Sequence, residues 1–336
     1  MTLLIVGAAL LLATLPYWLP YALGAVLRRL SVRRLLGGGL QESQAALRVR
    51  VVTAFLGGLG DGLRGFADSA VPPRFELPFE RPFLVEGMSV GLALARHLKP
   101  WTARQAAETF AREHNRYQFL LAIGAGFARG LETPWRGTPQ AYAAGPEPRL
   151  DALFHDGYGF QCVLRRYPRL TAVHAVGQKL PVEWQAGFYQ GVGRALWFFV
   201  PNIQALQRAV VAFPHDCQQH ALAGYGVAAG FAGIEELDPA CWEAPGESGT
   251  RVLLRTGLVV GLFARYYVDP SYASATLLGQ SAEGLLAFVQ QSSALYEELW
   301  SAGRGYAEFR AELQRWVEDG HHAKSWRTEQ FECVQA

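Results

Sequence analysis

The sequence predicts an all-α protein: about seven helical-hairpin repeats forming a curved solenoid or ring, preceded by an apolar N-terminal helix. Three observations predict it. A six-residue pattern (small, apolar, small, any, small, apolar) recurs at Gly58–Leu63, Gly87–Leu92, Ala122–Phe127, Gly157–Cys162, Gly191–Leu196, Gly224–Ala229 and Gly257–Leu262. The first members step by 29, 35, 35, 34, 33 and 33 residues, and a fixed period in the thirties marks stacked helix pairs. Each copy lies in an apolar run of helical length, as in Tyr117–Leu131, Trp184–Val200 and Arg255–Val268. Prolines fall between the copies, among them Pro82, Pro100, Pro181, Pro214 and Pro239, where helices start or stop.

Taken from the N-terminus, residues 1–27 carry no charged side chain and are long enough to cross a bilayer core as a helix. Arg28, Arg29, Arg33 and Arg34 follow, so the positive-inside rule keeps the body at the cytoplasmic face of the membrane on a single N-terminal anchor. No Lys or Arg precedes the apolar run, which argues against a secretory signal. The alternative is a buried first helix covering one end of the stack. Residues 28–317 are expected to form the helical repeat domain and residues 318–336 a polar tail. Within the domain, second helices are expected at Trp101–His114, Asn202–Phe213 and Ser271–Gln291, and a long loop at Gly130–Pro148.

The seven copies place 15 glycines at their small positions. At about 1 kcal/mol each relative to Ala, they cost a helix on the order of 15 kcal/mol. Close approach of helix backbones, as in small-x-x-x-small contacts, is the expected compensation. This reading also absorbs Gly60-Asp61-Gly62-Leu63-Arg64-Gly65, which matches a dinucleotide fingerprint only if Arg48–Phe55 is a strand.

Composition excludes several functions. Lys+Arg 31 against Asp+Glu 29 gives a net charge of +2, which provides no electrostatic case for nucleic acid. Four scattered cysteines form no C-x-x-C pair, so neither a disulfide framework nor a zinc knuckle is signalled, and a reducing compartment is the simplest reading. His215, Cys217 and His220 match no standard zinc spacing, and no metal or cofactor is expected. No nucleophile elbow or H-E-x-x-H occurs.

The candidate site comes from polar residues in the repeat frame. The position before each copy reads Gly57, Glu86, Leu121, Asp156, Gln190, Ala223 and Thr256, and its neighbour four residues on includes Asp61 and Arg194. Arg194 is expected to reach Asp156 across one repeat step. The pair then either holds two repeats in register or forms the polar part of a site with shifted pKa values. His155 adjoins Asp156, but successive helical residues point about 100° apart, so the dipeptide is no dyad. The catalytic candidates are Asp156, Arg194 and His155. The substrate-binding candidates are Glu86, Gln190, Tyr158 and Trp197, the last two lining an apolar wall or filling plain core.

The strings Asp156-Gly157-Tyr158-Gly159-Phe160 and Gly191-Val192-Gly193-Arg194-Ala195-Leu196-Trp197-Phe198, with the step Glu86-Gly87, resemble a bacterial family of unknown function, DUF1702, commonly labelled enediyne biosynthesis protein. The similarity spans roughly residues 28–268, and the apolar N-terminus and the chain after about Ser301 depart from it. The resemblance implies an accessory role in polyketide or enediyne-type biosynthesis, with a polyene or long acyl-type substrate. A membrane electron-transport-like protein and a repeat protein are the partners it implies. The other expectation is a non-catalytic scaffold that docks partner proteins at the membrane.

Overall fold

A computed structural model describes residues 40–64, 77–95, 115–136, 148–236, 248–280 and 282–319. The described residues form twelve α-helices and no strand. They are α1 (Glu42–Arg64), α2 (Arg81–Ala95), α3 (Gln118–Arg136), α4 (Asp151–Arg166), α5 (Leu170–Gly177) and α6 (Val182–Leu196). They continue with α7 (Ile203–Val210), α8 (His215–Ala232), α9 (Ser248–Val268), α10 (Pro270–Gly279), α11 (Glu283–Ser301) and α12 (Tyr306–Glu318). All seven copies of the small-residue pattern lie inside helices. The proposed anchor at 1–27, the helix at Trp101–His114 and most of the tail lie outside the described residues.

Contacts divide the chain into two compact units, residues 1–128 and 129–336. In the first, α1 packs on α2 through reciprocal glycines. A Cβ on Gly58 would lie 1.8 Å from the Leu84 carbonyl oxygen, and one on Gly87 would lie 1.9 Å from that of Phe55. Real Cβ atoms do not approach backbone so closely, so these positions admit hydrogen only. Arg48–Phe55 is part of α1 and not a strand, and Gly60 and Gly62 sit within the same helix. The strand–turn–helix context required of a dinucleotide site is therefore not met.

In the second unit, α4, α6, α8 and α9 pack in chain order, each against the next. The register repeats. Gly191 lies on the Asp156 carbonyl, Gly224 on that of Gln190 and Gly257 on that of Ala223, where added Cβ atoms would lie at 1.8, 1.9 and 1.9 Å. In α6, α8 and α9 the first glycine of the motif thus rests on the residue that precedes the motif one helix back in the stack. Backbone-to-backbone packing over the length of these helices offsets the propensity cost of their glycines.

Local chemistry sets the helix ends. Pro181 and Pro214 stand at the N-caps of α6 and α8, and Asn202 caps α7 by accepting from the Ala205 N–H at 2.9 Å. Asp269 caps α10, with Pro270 in its first turn. The single helix expected over Ser271–Gln291 is in fact two, α10 and α11. The chain leaves α10 at Gly279 and Gln280, and the Gln280 side chain donates to the Ile234 carbonyl at 2.9 Å. The turn lets Leu277, Leu285, Leu286 and Val289 close on Leu258 and Leu262 of α9.

Candidate functional site

Three of the frame residues predicted from spacing, Asp156, Gln190 and Arg194, converge in the second unit. Asp156 of α4 is fully buried, and Arg194 of α6 donates to its Oδ1 at 2.5 Å. Gln190, one turn before Arg194, donates from Nε2 to Asp156 Oδ2 at 2.8 Å. Arg194 also lies 5.3 Å from the centroid of Phe160, on α4 with Asp156, a cation–π contact that fixes the guanidinium from its other side. Close approach of α4 and α6 at Gly191 brings these side chains within reach of each other.

Burial pushes the Asp156 carboxyl above its ordinary range, and Arg194 and then Gln190 draw it back down. Breaking such a pair leaves an uncompensated buried charge, a larger loss than the net worth of the pair itself.

Gln190 extends the network. Its Nε2 also donates to the Tyr306 hydroxyl at 3.1 Å, and its Oε1 accepts from Arg310 at 2.6 Å. Arg310 in turn donates to Nδ1 of His220 at 3.2 Å. A guanidinium only donates, so Nδ1 is the acceptor and His220 is the neutral, Nε2-protonated tautomer. Burial first and Arg310 second lower the His220 pKa to about 4, in agreement with that assignment. Burial pushes the Tyr306 hydroxyl up to about 12.

The network ends at a cavity of about 50 Å³ bordered by Gln190, His220, Thr256, Arg310 and Gln314 over a floor that includes Val227 and Val260. Asp156 and Arg194 do not border it.

The other predicted residues lie elsewhere. His155 is buried in its own contacts. Its Nδ1–H donates to the Asp151 carbonyl at 2.8 Å, and its ring stacks on Trp184 at 4.5 Å. Burial lowers its pKa, and it makes no hydrogen bond to Asp156 or Arg194. Tyr158 packs on Phe188, and Trp197 meets Phe198 edge-on; both are buried core side chains. Glu86 is buried in α2, within the first unit. His215 is exposed while Cys217 is buried, and among the described residues no group of three potential ligands converges on a metal position.

Sequence reading missed Tyr306, Arg310 and the role of His220. The chain beyond Ser301 fell outside the resemblance, and no local pattern links Arg310 to Gln190, 120 residues earlier. A second cluster was also missed. Tyr189, next to Gln190 and turned to another face of α6, meets His174 Nδ1 at 2.6 Å and bonds Cys217. Burial raises the pKa of both the Tyr189 hydroxyl and the Cys217 thiol, so neither is an activated nucleophile.

The family model described as "Protein of unknown function (DUF1702)" matches residues 41–256. The chain belongs to this family. The match covers Asp156, Gln190, Arg194, His220 and Thr256, and it stops short of Tyr306 and Arg310. No curated protein and no solved structure matches the chain.

Proposed function

We propose that this chain is an accessory protein of polyketide or enediyne-type natural-product biosynthesis, which binds a polyene or other long acyl-type substrate and assists its modification. One observation carries the reading: the buried network runs past the Asp156–Arg194 pair, through Gln190 and Arg310, to a cavity. A pair that only held helices in register would need no such extension. Asp156 and Arg194 then act through Gln190, as positioning residues. Tyr158, Trp197 and His155 shape the surrounding core. In the same reading the seven motif helices belong to one curved solenoid or ring, supported by the repeating glycine register of α4, α6, α8 and α9. The body sits at the cytoplasmic face of the membrane, anchored by residues 1–27. A membrane electron-transport-like protein and a repeat protein are its partners.

A specific observation favours a second reading, a non-catalytic scaffold that docks proteins at the membrane. Asp156 and Arg194 are 0% and 7% exposed, packed as a register pin would be. Mass spectrometry of the full chain purified from its native host separates the two. A polyene or acyl molecule at about one per chain is the expected result. A partner protein retained with no small molecule would overturn the first reading in favour of the second. Recovery of the full-length chain in the soluble fraction without detergent would end the anchor proposal.

A further inference from the structure

The residues that precede successive motifs form a row across the stack: Asp156 on α4, Gln190 on α6, Ala223 on α8 and Thr256 on α9. The glycine contacts at 191, 224 and 257 fix that register. The row is polar except at Ala223, whose methyl leaves space between Gln190 and Thr256, and the cavity lies there. The Thr256 side chain borders the cavity, is 2% exposed, and its Oγ1 has no hydrogen-bond partner among the described residues. Threonine within a helix commonly bonds the carbonyl four residues back, and this one does not. Arg310 borders the same cavity from α12. Its guanidinium has five N–H donors, of which two serve Gln190 and His220. Among the described residues no carboxylate lies within ion-pair distance of it; the Asp156 charge acts on it from beyond that distance, with Gln190 bonded to both. The nearby acids Asp216 and Glu318 are exposed, and Glu318 accepts from the Gln314 amide.

We propose that this cavity is a subsite for the carboxylate end of an aliphatic or polyene acid, held by Arg310 and the Thr256 hydroxyl. The size of the space decides the class. At 10–15 Å³ per water-sized occupant, about 50 Å³ holds roughly four heavy atoms, a carboxylate with its adjoining carbon or two. A flavin, a nucleotide or a folded acyl chain does not fit. Charge decides the rest. Among the described residues Arg310 is the only cation at the cavity wall while His220 is neutral, which suits one negative charge better than the two of a phosphate monoester. Val227 and Val260 on the floor suit the first methylenes. The hydroxyl donates to one carboxylate oxygen and the guanidinium to the other, a charge-assisted arrangement.

This inference rests on the ligand-binding reading, and its test is independent of the biosynthetic assignment. Octanoate, octanol and octyl phosphate are titrated into the full chain and followed by thermal stability and calorimetry. Octanoate is expected to bind and stabilise, with octanol and octyl phosphate at least about tenfold weaker. Thr256→Val keeps shape and removes the hydroxyl; it should leave the ligand-free protein as stable as before or more so, and weaken octanoate about tenfold. Arg310→Met should abolish octanoate binding. Equal effects from octanoate and octanol would overturn the proposal, as would octanoate binding that Thr256→Val leaves unchanged, or a cavity that takes up water only. If octanoate fails while an acyl molecule co-purifies from the host, the subsite is refuted and the binding reading stands. If octanoate binds and nothing co-purifies, the subsite stands and the biosynthetic reading falls.

Discussion

The stack α4–α6–α8–α9 and the C-terminal helices α11 and α12 are held together by different contacts. In the stack, glycines place one backbone directly on the next, and added Cβ atoms at Gly191, Gly224 and Gly257 would meet carbonyl oxygens at about 1.9 Å. In the C-terminal region, aromatic side chains keep the helices apart. Phe309 of α12 packs on Phe263 at 4.6 Å and on Tyr296 at 5.3 Å, and α12 contains no glycine. Close backbones leave room only for short reaches between helices, so Asp156, Gln190 and Arg194 bond across adjacent helices. Wider spacing admits the long side chains of Tyr306 and Arg310, which reach back to Gln190 from outside the stack. The polar network lies where the two packing modes meet.

Substitutions distinguish the two modes by the size of their effects. The largest is expected from Gly191→Ala. Its methyl would sit 1.8 Å from the Asp156 carbonyl oxygen, so α4 and α6 must separate, with loss of about 4 kcal/mol or more, or of folding itself. Chemical denaturation measures it, and near-native stability would refute backbone contact as the basis of the stack. Next is Asp156→Ala, expected to cost about 3–5 kcal/mol because Arg194 is left buried without its carboxylate. A loss below about 1 kcal/mol in the same measurement would mean that the pair is solvated.

The third effect depends on pH. His220 has a folded pKa of about 4 against 6.5 for the free side chain. A depressed histidine leaves the protein most stable above pH 6.5, and stability falls as pH drops toward 4, because the unfolded chain takes up a proton that the native site refuses. Between pH 7 and pH 5 the expected loss is about 2 kcal/mol, and His220→Gln should remove it. An unchanged pH dependence in that variant would place the titration on another group. The smallest effect has the opposite sign. Gly279 ends α10, and a methyl added there would find no atom within 4 Å, so Gly279→Ala should stabilise by about 0.5–1 kcal/mol in thermal or chemical denaturation. The same change in two glycines then differs in sign according to what lies beside each.

Spacing alone groups Asp156, Gln190 and Arg194, since residues at one frame position face one neighbour when helices repeat at constant interval. His155 shows the limit of that inference. It adjoins Asp156 in sequence, but a turn of about 100° commits it to Trp184 and the Asp151 carbonyl. Ser271–Gln291 shows another, because a helical pattern carried through Gly279 and Gln280 hides a turn that tertiary bonds to Ile234 stabilise.

What the chain determined by itself was the helical class, the motif period and the proline-marked helix ends, because these follow from interactions within a few residues. Tertiary structure alone decided which polar groups complete the network and where it ends. Tyr306 and Arg310 lie 116 and 120 residues from Gln190, and contacts across such separations depend on how whole helices pack, which no local pattern encodes.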